Sequence, residues 1–443
     1  MKMNTAPLSG FLELLPSEQI EFDRIKNIIQ ETYASYGFTP LDTPAIERSQ
    51  VLMAKGSQET DKQIYFVNNG LTKEKDEIDN ALALRFDLTV PLARYVANNA
   101  HHLIFPFRRQ HIAKVYRGER AQKGRFREFY QCDIDIIGQN TLSTRYDAEM
   151  PSVIYQIFKK LDIGKFTIKI SNRKIFSGVF ESFGITADTQ AVLRIIDKAE
   201  KISIDQLISE FKELGLSPDQ ISNLQNFMNI KGSVAHVLSS LADLGVNAPL
   251  FEEGLRELKD VTDMLLLLDV DPDYFEIDLG IVRGLDYYTG TVYETVMEDS
   301  RVGSVCSGGR YDNLASSYTD LILPGVGISI GLSRLFFQLR EHGLLKNISQ
   351  SVSNVIIMPN DDTNIPTAIT SANHLRKAGI NVDILLQNMN IKKKFAYIDK
   401  QNTPYTVVVK TEKDGKEVLS LQYKKDNSII KEILTIEEII NFF

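Results

Sequence analysis

After Pro16-Ser17, apolar residues recur at helical spacing (Ile25, Ile28, Ile29, Tyr33, Tyr36) until Gly37 ends the run. That spacing predicts a helix over 17–36. Over 38–46 the pattern becomes extended, and Pro40 and Pro44 bar a helix there. Stretches rich in β-branched and aromatic residues follow at 63–67, 83–86, 112–116, 127–138 and 167–170. They predict a mostly antiparallel sheet with helices attached. From about 172 to 268 the character changes, and 185–268 carries helical spacing (Val192, Ile195, Ile196; Leu207, Phe211, Leu214), with turn signals at Gly215 and Gly245. This predicts an all-helical module between two parts of the sheet domain. Strand-like residues return over 275–296 and 325–330, and a helix follows over 332–340.

A polar stretch, 341–354, separates off the last 90 or so residues, which alternate cleanly. Strand 355–358, helix 366–378 closed by Gly379, strand 381–386, helix 391–400 and strands 405–410 and 417–423 are expected in turn. Thr435-Ile-Glu-Glu438 fits a capping box opening a final short helix. The alternation predicts a small α/β domain on a partly parallel sheet. The expected domains are 1–171 and 269–345 for the two parts of the sheet domain, 172–268 for the insertion and 346–443 for the C-terminal domain.

At roughly 150 residues per domain, 443 residues agree with about three domains. With 43% hydrophobic and 24% charged residues, neither disorder nor a fibrous repeat fits. Cys132 and Cys306 are the two cysteines, too few for a disulfide framework or a Cys-rich metal site, and they point to a reducing compartment. The stretch 1–15 lacks a signal peptide's apolar centre. The longest aliphatic run, 264–268, is far below the roughly 20 residues that cross a bilayer. The expected location is the cytoplasm, away from membranes. A net charge of −8 disfavours a protein that coats nucleic acid non-specifically. Between 104 and 127, however, eight Lys or Arg meet one acidic residue, Glu119, as a dedicated anion site would require.

Four blocks carry candidate chemistry. The first is Leu84-Arg-Phe-Asp-Leu-Thr89. The second, 115–135, reads as strand, basic Gly-containing loop and strand, with Arg117, Arg125 and Arg127 around one mouth. Guanidinium groups suit bidentate capture of phosphate oxygens. The third is Gly280-Ile-Val-Arg-Gly-Leu-Asp-Tyr-Tyr-Thr-Gly290; its tyrosine pair reads as strand residues. The fourth is Ser307-Gly-Gly-Arg-Tyr-Asp312, followed by 325–334, whose paired glycines read as turns that let backbone approach a ligand. Taken singly, each block is ordinary: surface arginines, one core and one edge ring, common turns. One polyanionic ligand would account for all of them. Gly327-Ile-Ser329-Ile-Gly331 also matches a serine nucleophile elbow, with His342 and His374 downstream, but no alternating α/β sheet precedes it. His101, His102 and His111 show no metal-ligand spacing, and no Walker A or Rossmann fingerprint is present.

These blocks resemble the class II aminoacyl-tRNA synthetases and, within them, the histidyl-tRNA synthetase family. The stretch 17–46 looks like motif 1, which builds the dimer interface; 115–135 looks like motif 2 and 325–334 like motif 3. Arg283-Gly-Leu-Asp-Tyr-Tyr288 and Gly308-Gly-Arg-Tyr-Asp312 resemble two signatures of the histidine enzymes. The resemblance spans nearly the whole chain. It implies an α+β fold: an antiparallel class II catalytic sheet with a helical insertion, then a small α/β anticodon-binding domain over 346–443. It implies that L-histidine is activated with ATP and Mg2+ to histidyl-adenylate, releasing pyrophosphate, and then transferred to the 3′ end of tRNA(His) by a homodimer. Residue by residue, it implies Arg117 and Arg283 as the catalytic pair at the α-phosphate, Glu119 at the adenine, Arg334 at the γ-phosphate and Arg125 at ATP or the tRNA acceptor end. For histidine it implies Asp87, Leu88, Thr89, Gln131, Asp135, Tyr287 and Tyr288, together with Arg117 and Arg283. Asp87 and Gln131 would take the α-amino group, and Asp135 and Tyr288 would read the ring. Lys392-Lys-Lys394 could meet an anticodon stem.

Three departures stand out. Ser333 precedes Arg334 where the class often has Glu, Ser307 stands where a third Gly is common, and Lys410-Thr-Glu412 lacks a frequent glycine. The alternative is a non-catalytic regulatory paralogue from histidine biosynthesis. Such paralogues generally lose the signatures and the C-terminal domain, and both are present here.

Overall fold

The computed structural model describes residues 3–54, 63–68, 81–199, 202–281, 287–298, 303–345, 351–423 and 428–443. Contacts divide the chain into two compact units, Met1–Leu12 with Lys26–Leu344, and Glu13–Ile25 with Leu345–Phe443. In chain order the strands of the first unit are β1 (Thr39–Pro40), β2 (Ile46–Arg48), β3 (Phe66–Val67), β4 (Leu82–Leu84), β5 (Phe107–Tyr116) and β6 (Glu128–Ile137). They continue as β7 (Phe166–Asn172), β8 (Phe275–Ile277), β9 (Thr291–Met297), β10 (Cys306–Tyr311) and β11 (Gly325–Gly331). The main sheet has eight strands in the order β1-β5-β6-β11-β10-β9-β7-β8, and β2, β4 and β3 form a separate small sheet. Pairing in the main sheet is antiparallel except at its two ends, where β1 runs parallel to β5 and β7 to β8. Between β7 and β8 the described residues form six α-helices, from Arg173–Ser182 to Pro249–Leu267.

Period-two alternation gives the sheet two chemically different faces. On β6 the residues Cys132, Ile134 and Ile136 are fully buried on one face. Tyr33, from the helix Pro16–Ser35, donates its hydroxyl to the Cys132 carbonyl at 2.8 Å on that strand. The alternate residues Gln131, Asp133 and Asp135 lie on the opposite, polar face. The helix Arg145–Leu161 also packs by the sheet, burying Met150, Val153, Ile154, Ile157 and Phe158. Pro151 sits inside this helix and withdraws the N–H that would bond the Asp147 carbonyl. That carbonyl instead accepts the Tyr293 hydroxyl at 2.7 Å, so the helix tolerates its proline.

Two expectations are corrected. Tyr287 and Tyr288 lie before β9 rather than on a strand, and Gly308 and Gly309 lie within β10 rather than in a turn. The rejection of a nucleophile elbow holds: Ser329 is in the middle of β11, not at a sharp strand-to-helix turn.

In the second unit β12 (Val355–Pro359), β13 (Val382–Ile384), β14 (Tyr405–Thr411), β15 (Glu417–Tyr423) and β16 (Ser428–Leu434) form a sheet in the order β13-β12-β14-β15-β16. β13, β12 and β14 are parallel, and the other two pairings are antiparallel. Every residue of β12 is buried. Val355 and Ile357 pack with Ala372, Leu375 and Val407, while Ile356 and Met358 pack with Leu385, Ile398 and Val408. A strand covered on both faces needs an unbroken apolar run, as this one has. The Lys392-Lys-Lys394 triplet is not uniform: Lys394 is buried, its Nζ donating to the Pro359 carbonyl at 2.7 Å and the Asn360 carbonyl at 3.1 Å. Lys392 and Lys393 remain exposed.

Candidate active site

A cavity of about 350 Å³ opens on the polar face of the main sheet. The cross-strand register builds its floor: Asp133, Ser329, Ser307 and Glu294 stand opposite one another across β6, β11, β10 and β9, and His111 on β5 continues the row beyond the lining. One step along, Arg109, Asp135, Gly327 and Gly309 form the next row. The glycines of that row make room. A Cβ on Gly327 would stand 2.2 Å from Asp135 Oδ1, and one on Gly309 would stand 3.0 Å from the Tyr288 ring.

Of the residues singled out from the sequence, Asp87, Thr89, Arg117, Glu119, Arg125, Gln131, Asp135, Tyr287, Tyr288 and Arg334 all line this one cavity. They come from sites up to about 250 positions apart. Leu88 does not line it: its side chain is buried with Ala113 and Val115, and its carbonyl accepts from Arg109 at 3.2 Å. Arg127 turns away, its Nε donating to the Glu119 carbonyl at 3.0 Å. Arg283 lies outside the described residues.

The cavity is electrically two-ended. Its buried end holds Asp87, Asp133 and Asp135, each 2% exposed. Arg109, wholly buried, stands 2.7 Å from Asp135 Oδ2, and Tyr311 donates to Asp135 Oδ1 at 2.8 Å. Burial pushes the Asp87 carboxyl up to about 6, against the pull of its Val90 N–H bond and of Arg117 and Arg109. Burial pushes Asp133 up to about 7, the neighbouring Asp135 adding to the rise that Arg109 opposes. Asp135 is raised by burial too, with Arg109 opposing. Such a cluster of acceptors favours a cationic ligand.

The other end gathers Arg117, Arg125 and Arg334. Arg117 Nε donates to the Phe86 carbonyl at 3.0 Å, with its guanidinium 5.2 Å from the Phe129 ring centre. Arg334 donates from Nε to the Gly124 carbonyl at 3.1 Å and from a terminal nitrogen to the Ser304 carbonyl at 2.9 Å. Burial, then Arg125 and Arg117, depress the Arg334 pKa, with Glu119 opposing. Three cations held close enough to repel one another gain from a polyanion bound among them. Between the ends, the Tyr287 and Tyr288 ring centres are 4.9 Å apart, and Tyr287 is 5.9 Å from Tyr311.

Asp133, Arg109 and Tyr311 were not singled out from the sequence, and Ser329 was weighed only as a nucleophile. Asp133 could have been found from period two, since it alternates with Gln131 and Asp135 along β6, whereas Arg109 is marked only by its register opposite Asp135. Tyr311 lies inside the Gly308-Gly-Arg-Tyr-Asp312 block, which was noted for its glycines.

Comparisons with known proteins agree along the whole chain. The histidyl-tRNA synthetase family model matches residues 10–335, and an anticodon binding domain model matches 354–443. A histidine–tRNA ligase of Clostridium tetani is 50% identical over 435 residues, 98% of this chain and 96% of its own. One from Finegoldia magna is 42% identical over 98% of both chains. The crystal structure of histidyl-tRNA synthetase from Nostoc sp. PCC 7120 superimposes with a TM-score of 0.89 at 38% identity, covering all of each chain.

Proposed function

As the chain belongs to the histidyl-tRNA synthetase family, we propose that this cavity joins L-histidine to ATP and then passes the histidyl group to tRNA(His). The observation that carries the proposal is the cavity's polarity: buried carboxylates at one end, converging guanidiniums at the other. Histidine brings an ammonium to the first end, and its carboxylate points toward the second, where ATP lays its phosphates.

A carboxylate oxygen of histidine attacks the α-phosphorus, the bond to the β-phosphate oxygen breaks, and pyrophosphate leaves with that electron pair. Two anions must meet while charge builds on the phosphoryl oxygens, so the task is positioning and cationic stabilisation rather than protein nucleophilicity. Arg117 neutralises the α-phosphate, with Arg283 as its partner from outside the described residues. Arg334 takes the γ-phosphate, Arg125 the phosphates or the tRNA acceptor end, and Glu119 the adenine. Mg2+ would enter as part of the ATP substrate and would supply further charge neutralisation at the phosphates, beside Arg117, Arg125 and Arg334. In the second step a ribose hydroxyl at the tRNA 3′ end attacks the acyl carbon and AMP departs.

Asp87 and Gln131 take the α-ammonium, and Thr89 supports Tyr287 by a side-chain hydrogen bond. Asp135 and Tyr288 read the imidazole. A polar pocket of this kind rejects Leu or Phe by leaving buried groups unpaired. A homodimer, as motif 1 implies, and a cytoplasmic setting complete the proposal. No helix among the described residues is long and apolar enough to cross a membrane. The regulatory alternative is not favoured, since histidine–tRNA ligases match over nearly the whole chain.

The test is histidine-dependent exchange of pyrophosphate into ATP without tRNA. Arg334→Ala should lower its rate roughly 100-fold or more, as loss of a transition-state cation does. Wild-type rates in that variant would remove Arg334 from the ATP site.

A further inference from the structure

Asp133 stands between Gln131 and Asp135 on the cavity face of β6. Its Oδ1 is buried with no hydrogen-bond partner among the described residues, as are Asp87 Oδ2 and Gln131 Oε1. A buried acceptor without a donor is costly, and three lining one cavity mark places that a ligand's donors fill. The surrounding bonds fix which atoms are left over. Gln131 Nε2 donates to Ser329 Oγ at 2.8 Å, and the Ser329 hydroxyl bonds the Asp133 carboxylate from the directly opposite position on β11. The amide oxygen of Gln131 and one oxygen of Asp133 therefore remain open. Neighbouring groups do not take them: His111 Nε2 bonds Asp42 Oδ1 at 2.8 Å, and Arg109, whose Nε and one terminal nitrogen are buried without a hydrogen-bond partner among the described residues, bonds neither oxygen. Asp135 differs in that Tyr311 donates to its Oδ1 and an Arg109 terminal nitrogen stands 2.7 Å from its Oδ2 as an ion pair.

A primary ammonium has three N–H donors and a full positive charge. We propose that Asp133 is the third acceptor for the α-ammonium group of the amino-acid substrate, beside Asp87 and Gln131. It is thereby a specificity-determining residue for substrates that carry that group. The inference rests on the cavity's being the histidine site. It divides the buried carboxylates by role: Asp87 and Asp133 for the ammonium, Asp135 for the ring with its charge balanced by Arg109.

Two ligands separate this from a merely structural role. L-Histidinol keeps the ammonium and lacks the carboxylate; 3-(imidazol-4-yl)propionate lacks the ammonium and keeps the rest. In Asp133→Asn the KM for histidine in pyrophosphate exchange should rise roughly tenfold or more, with kcat within about twofold. The inhibition constant of histidinol should rise by the same factor and that of the propionate by less than about twofold. Retained propionate binding also shows that the variant is folded, and Asp133→Ser, read with the same two ligands, is the second variant. An unchanged KM for histidine, or equal weakening of both inhibitors in a variant that melts cooperatively, would overturn the assignment. A wild-type protein that supports no exchange with histidine would instead overturn the reading of the cavity, and this inference with it.

Discussion

Asp87, Asp133 and Asp135 are buried at one end of the cavity, and the wholly buried Arg109 guanidinium stands beside Asp135. The arrangement favours an arriving cation at the expense of the empty protein. A carboxyl whose folded pKa lies above its unfolded value stabilises the fold below the unfolded value, and that stabilisation is lost as pH rises through the folded one. For Asp133 the window runs from about 4 to about 7. Asp133→Asn should therefore melt close to the wild type near pH 4 and increasingly above it up to about pH 7, in thermal unfolding without ligand. A melting difference that does not change with pH would show that Asp133 is not raised by burial. Much of this residue-level chemistry was legible in the chain: Gln131 and Asp135, four residues apart on one strand face, and the arginines of the basic loop. The destinations of individual charges were not. Of the eight basic residues between 104 and 127, Arg108 and Lys114 are spent on Glu149 and Glu128, and Arg109 on Asp135. Only the fold distinguishes these from Arg117 and Arg125 at the cavity.

The elements show how one strand serves both core and site. β10 carries Gly309 and Tyr311 toward the cavity region, while Arg310 points to the start of the helix Arg145–Leu161. Arg310 Nε lies 3.0 Å from both Asp147 oxygens, and its terminal nitrogens reach the Leu142 and Ser143 carbonyls at 3.2 and 3.0 Å. Thr291 adds a bond to Asp147 Oδ2 at 2.8 Å. With Asp147 fully buried and Arg310 4% exposed, removing one partner strands a charge. Asp147→Ala should cost about 3–5 kcal/mol in denaturant unfolding; a loss below about 1 kcal/mol would mean that solvent reaches the pair. Neither the pair nor its helix was expected from the chain. Pro151 interrupts the helical signal, and the Tyr293 hydroxyl that compensates for it is about 140 residues away in sequence. The long, strongly patterned strands β6, β11, β12 and β14 were legible because burial of one or both faces imposes its period directly. The short strands β3 and β13 fall inside the stretches 63–67 and 381–386 that the sequence marks, whereas the glycine-rich β10 owes its pairing to neighbours and propensity alone does not mark it.

Across the whole molecule, an acidic chain of net charge −8 concentrates its positive charge where anions are to be held. Nucleic-acid affinity then depends on a few local lysines and arginines. In the C-terminal domain Lys392 and Lys393 are exposed at the start of a helix, whereas Lys394 is committed to backbone carbonyls. Replacing Lys392 and Lys393 together by Glu should lower the charging of tRNA(His) roughly tenfold or more at moderate salt and leave tRNA-free exchange unchanged. Equal charging in the variant would exclude these two lysines from the tRNA surface. The central claim is that one two-ended cavity selects histidine and joins it to ATP. Its most direct test is pyrophosphate exchange into ATP, with each of the twenty amino acids supplied in turn and no tRNA present. Exchange is expected with histidine alone. Exchange with several amino acids, or with none, would contradict it.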